Sequence, residues 1–155
     1  MTIGIIVYSQ TGHTREVAEK LREKLIASGH NAVIDPVIPE GAVEPGAKNV
    51  RFQAKPDTDG YEGLVLASPV QAFSLAAAMK AYLPHLGSLK GKKVACLLTK
   101  QLKGSWTGAN KAFRSLRKAV EEKGGIVAGN GYIVWSAEDR EDRITDTVEK
   151  LAALF

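Results

Sequence analysis

Two spacings of apolar residues alternate along this chain. Nearly unbroken apolar runs occur at Ile3 to Tyr8, Ala32 to Val37, Leu64 to Ser68, Lys93 to Thr99 and Ile126 to Trp135. Runs of this length read as strands covered on both faces, the condition of a parallel sheet packed between helices. Between them the apolar residues recur every three or four positions, as in Val17, Leu21 and Leu25, a stretch that stops at Ser28-Gly29. That spacing predicts an amphipathic helix. A second helix is expected over about Leu75 to Leu86, and a third with Ala109, Phe113, Leu116 and Val120 inward. In the last, Ile144, Val148 and Leu151 face the core and Ser136-x-x-Asp139 forms a capping box. Five strands and at least four helices in alternation give an α/β fold with helices on both faces of the sheet.

The alternation fails in one place. Prolines at 36, 39, 45 and 56, with several glycines, leave no amphipathic helix between Pro36 and Gly63. The helix expected there is reduced or replaced by loop, and Val50, Phe52 and Ala54 alternate as a short extra strand would. Length and composition fit one domain over residues 1–155: 45% hydrophobic and 25% charged is average for a globular protein. The chain enters its first strand with no basic leader, and no apolar run reaches membrane-spanning length, so a cytoplasmic protein is expected. Cys96, the single cysteine, stands among Val94, Ala95, Leu97 and Leu98 as a buried strand residue. His13, His30 and His85 are scattered and make no metal set.

The candidate chemistry lies where the first strand turns into the first helix, at Ser9-Gln10-Thr11-Gly12-His13-Thr14. A strand running directly into a helix aims several free N–H groups and the positive end of the helix dipole at the turn. Gly12 allows close approach of a ligand, and Ser9, Thr11 and Thr14 carry hydroxyls able to donate to a phosphate. Neither the Walker pattern nor Gly-x-Gly-x-x-Gly is present. The competing reading is an ordinary turn whose hydroxyls cap the helix.

These six residues resemble the phosphate loop of the flavodoxin-like family, Ser/Thr-x-Thr-Gly-x-Thr after the first strand, and match it at Ser9, Thr11, Gly12 and Thr14. The resemblance implies strand order 2-1-3-4-5 and noncovalent FMN, its 5′-phosphate held by this loop, His13 and Gln10 included. The ring then belongs at the loops after strands 3 and 4. The first, Ser68-Pro69-Val70-Gln71-Ala72-Phe73, resembles the family's Gly/Ser-Thr/Ser-Pro step; Pro69 stiffens it, Gln71 can bond a ring edge, and Phe73 can cover the flavin or the core. The second begins Thr99-Lys100-Gln101 and contains Trp106, a candidate to stack on the flavin. Trp135 lies on or just beyond strand 5.

Two features depart from the family. Carrier flavodoxins use a glycine after strand 3 to favour the one-electron state, whereas no glycine occurs here from Leu64 to Leu86. They are also usually acidic, whereas this chain has formal net charge +4. The excess is local, because Lys90 to Lys118 holds nine Lys or Arg and no Asp or Glu. Lys111, Arg114 and Lys118 share one helix face, either a plain solvated surface or a rim that steers an acidic, ferredoxin-like partner docking near Lys100, Lys103, Lys111 and Arg114. No nucleic-acid motif accompanies the charge. The expected function is FMN-based electron transfer between redox partners. The alternatives are an FMN-dependent NAD(P)H:quinone-type oxidoreductase and a flavin-free interaction module on the same fold.

Overall fold

A computed structural model describes residues 1–101 and 108–155. Five parallel strands form the sheet in the order β2-β1-β5-β7-β8: β1 (Thr2–Val7), β2 (Asn31–Pro36), β5 (Gly63–Gln71), β7 (Lys93–Lys100) and β8 (Ile126–Val134). This is the order expected. In register, Ile5 pairs with Ile34 and Val65, Leu66 with Cys96, and Leu97 with Gly131. Successive residues of β1 bury to opposite sides of the sheet. Ile3, Ile5 and Val7 meet Val17, Leu21 and Leu25 of α1 (His13–Ala27) and Ile144, Val148 and Leu151 of α4 (Arg140–Ala152). Ile6 joins Leu64, Leu66 and Leu98 under Met79 and Tyr82 of α2 (Ala77–Tyr82) and Leu116 and Val120 of α3 (Ala109–Glu122). Double-sided burial explains why these strands read as unbroken apolar runs.

At Gly4 the space of a side chain is taken by Tyr61, whose ring carbon lies 2.3 Å from where a Cβ would stand. Its hydroxyl donates to Asp35 Oδ2 at 2.8 Å; burial first, then this bond and the Asp35 charge, push the phenol up to about 12. Tyr61 thus packs across the sheet face as a structural residue. Cys96 is buried as expected, and burial pushes its thiol up to about 12.

Several local expectations change. The irregular segment contains an antiparallel ribbon, β3 (Ile38–Pro39) with β4 (Phe52–Ala54), in the position of the missing helix. Strand β5 runs past Ser68 to Gln71 and folds back on β6 (Ser74–Leu75), so Leu75 belongs to a hairpin and α2 is a shorter helix continued by a 3-10 turn, Leu83–His85, at Pro84. Phe113 is half-buried against Tyr132, and Ala112 holds the inward position. No capping box closes at Ser136, because Asp139 is itself the N-cap residue and its carboxylate accepts two bonds from Arg143 Nε, at 2.9 and 3.0 Å.

Candidate functional site

At the carboxyl edge of the sheet, β1 turns into α1 through the loop Tyr8–Gly12. Gly12 is the N-cap, with φ 92°, a left-handed conformation that glycine adopts without strain. Ser9 Oγ accepts from Gly12 N–H at 3.2 Å and Arg15 N–H at 3.3 Å. The backbone N–H groups of Gln10, Thr11, His13 and Thr14 have no hydrogen-bond acceptor among the described residues. Four donors without acceptors among those residues thus stand at the turn into a helix N-terminus, a place suited to an anion. Thr14 differs from expectation. Its hydroxyl is buried against that of Thr99 at 2.7 Å, tying α1 to the end of β7. Two hydroxyls carry two protons and their mutual bond uses one, so the pair keeps one proton to donate.

A cleft of about 170 Å³ opens beside this loop, lined by Gln10, Thr11, His13, Pro69, Val70, Gln71, Thr99, Lys100 and Gln101. All nine are residues singled out in the sequence, drawn from three separate stretches: the β1–α1 turn, the end of β5 and the end of β7. Gln71 Nε2 donates to Gln10 Oε1 across the cleft, while Gln71 Oε1 is buried without an acceptor's partner among the described residues. Burial raises the pKa of the Tyr8 hydroxyl, and the Gln71 side chain lowers it in part. Ser68 is fully buried with its hydroxyl donating to Pro69 C=O at 3.0 Å, and so supports the cleft without lining it. Ser9 and Gly12 face a second hollow of about 350 Å³ toward β2, walled by Pro36 and Pro39.

Ala72 and Phe73 form the tip of the β5–β6 hairpin, at φ 47° and 62°. Two non-glycine residues in the left-handed region cost energy that the surrounding structure must offset. Phe73 is 58% exposed and its backbone rests on Gly108, where a Cβ would lie 2.2 Å from Phe73 C. Neither residue lines the cleft. Lys100 corrects an expectation: at 6% exposure it belongs to the cleft wall rather than to an outer docking rim, with its Nζ 5.0 Å from the Tyr132 ring centre. Burial lowers its pKa. Lys111, Arg114 and Lys118 are exposed on α3 as expected. Trp106 and Lys103 lie outside the described residues.

Sequence reasoning missed Trp135. Its ring stacks on His13, centres 3.9 Å apart and planes 10° from parallel, and the Arg140 guanidinium lies 4.5 Å from the ring centre. Arg140 Nη1 also donates to Trp135 C=O at 2.8 Å. The signal was topological: the end of β8 lies at the same sheet edge as the phosphate loop, and Trp135 N–H donates to Lys100 C=O at 2.8 Å. No group of described residues could hold a metal ion, and no helix among them is long and apolar enough to cross a membrane.

Family models and curated proteins give no match to this sequence. Solved structures do. The flavodoxin of Streptococcus pneumonia TIGR4 superposes with a TM-score of 0.71 at 15% identity, and flavodoxin 2 of Bacillus cereus with 0.68 at 19%, each covering 100% of both chains. The Trp repressor binding protein of Bacillus subtilis superposes with 0.64 at 14%, again over 100% of both. With five parallel strands in the order found here, the chain has the flavodoxin-like fold.

Proposed function

We propose that this protein binds FMN noncovalently in a single domain and passes electrons between redox partners in the cytoplasm. The observation that carries the reading is the set of four backbone N–H donors of Gln10, Thr11, His13 and Thr14 at the start of α1, beside a cleft lined by residues of the three stretches singled out in the sequence. The phosphate is held by those donors with the hydroxyls of Thr11 and the Thr14–Thr99 pair. Pro69, Val70 and Gln71 on one side and Thr99, Lys100 and Gln101 on the other orient the ring, and the orphaned Gln71 Oε1 accepts from an N–H on its edge. Bound FMN supplies the redox chemistry.

Replacing Thr11 and Thr14 together by alanine removes hydroxyl donors to a charged group, each worth about 1.5 to 3 kcal/mol. FMN affinity measured by fluorescence titration is expected to fall on the order of a hundredfold with the far-UV circular dichroism unchanged. Unaltered affinity would remove the loop from the phosphate site. The exposed cations Lys111 and Arg114, with Lys103, make the docking face for an acidic ferredoxin-like donor. Reversing them to glutamate slows reduction by such a donor at low salt and leaves FMN binding intact.

A second reading, an FMN-dependent oxidoreductase that takes hydride from NAD(P)H and reduces a quinone, is favoured by the hairpin tip Ala72–Phe73, which lacks the glycine of one-electron carriers. Stepwise reduction of the flavin-loaded protein separates the two: electrons enter singly in a carrier and in pairs in a reductase.

A further inference from the structure

Lys100 ends β7 and is withdrawn from water into the cleft wall. Burial penalises the charged form of a lysine, so a cation kept in such a place needs compensation. Tyr132 supplies part of it through the face of its ring, 5.0 Å from Nζ. The remaining described lining consists of amides, hydroxyls, Pro69, Val70 and the His13 imidazole, and no carboxylate lines the cleft. Among the described lining residues, a ligand held there meets the Lys100 ammonium and no carboxylate. Exposed lysines elsewhere are screened by solvent; this one acts through a region of lower dielectric, where a charge is felt more strongly.

We propose that Lys100 sets the redox poise of the cleft: its ammonium makes the protein hold the reduced cofactor more tightly than the oxidised one, which favours the second of the two readings above, two-electron chemistry with a hydride donor. This rests on the reading that FMN occupies the cleft. Uptake of a hydride, two electrons with one proton, adds one negative charge to the ring, and the donor leaves with one more positive charge than it brought. A cation beside the ring favours that added charge, and nearby charge is one of the levers by which a protein tunes a flavin. The ratio of the two dissociation constants fixes the shift from free FMN, each tenfold preference for the reduced form raising a two-electron midpoint by about 30 mV.

The test compares the native protein with Lys100→Met, Lys100→Gln and Lys100→Arg, with Lys48→Gln, on an exposed loop, as a charge control. FMN binding is measured by titration, and the two-electron midpoint of each complex by spectroelectrochemistry beside free FMN. The native midpoint is expected at or above that of free FMN. Methionine or glutamine lowers it by about 30 mV or more, a tenfold loss of preference for the reduced form. Arginine restores it, and Lys48→Gln leaves it unmoved. FMN binding with an unchanged midpoint in the neutral variants overturns the proposal, as does an arginine variant that behaves like methionine. If neither neutral variant holds FMN, the native protein decides, a midpoint well below free FMN overturning the proposal. Failure of the native protein to bind FMN at all overturns the reading beneath it, an outcome visible in the titration before any potential is measured.

Discussion

Two turns leave neighbouring strands at the same edge of the sheet, and they are built in opposite ways. The turn after β1 uses one glycine, Gly12 at φ 92°, and leaves four N–H groups without acceptors among the described residues. The turn after β5 uses no glycine, holds Ala72 and Phe73 at φ 47° and 62°, and pairs its flanks Val70–Leu75 and Gln71–Ser74 in a hairpin. The first spends no strain and keeps its donors available; the second stores strain and directs its backbone bonds inward. A loop of the first kind receives a ligand through its main chain. One of the second kind presents side chains, here Gln71, from a fixed frame.

The largest effect should come from the support of the strained turn. Gly108→Ala places a Cβ 2.2 Å from Phe73 C and 2.3 Å from Phe73 O, in a residue at φ 99°. Backbone cannot yield as a side chain tip would, so a loss of about 3 kcal/mol or more in urea unfolding is expected. Gly12→Ala meets nothing within 4 Å. Its cost is conformational alone, about 1 to 2 kcal/mol, and equal losses for the two variants would erase the contrast. Ala72→Gly relieves a left-handed alanine and should gain stability, by about 1 kcal/mol at most because glycine also gains freedom in the unfolded chain. A destabilising Ala72→Gly would mean that the hairpin tip is not strained.

Much of this architecture was legible in the sequence because double-sided burial writes itself as apolar runs. Ile3 to Tyr8 and Lys93 to Thr99 announce β1 and β7 almost to the residue. The cleft was legible for a topological reason: parallel strands bring the loops after β1, β5 and β7 to one edge, so nine residues from three stretches converge. What could not be read depends on partners distant in the chain. Thr14 bonds Thr99 across 85 residues, and Trp135 finds His13 only after β8 is placed. The hairpin tip was hidden because Ala72 and Phe73 have no propensity for positive φ; only the pairing across β5 and β6 and the contact with Gly108 impose it.

The central claim is that the β1–α1 turn is a phosphate site, and the two vitamin forms of the ring test it most directly. FMN and riboflavin share the isoalloxazine and ribityl groups and differ by the phosphate, so titrating the apoprotein with each isolates what the loop recognises. Charge-assisted hydrogen bonds to the phosphate, about 1.5 to 3 kcal/mol each, predict that FMN binds at least about a hundredfold more tightly than riboflavin. Equal affinity for the two, or binding of neither, would contradict the account.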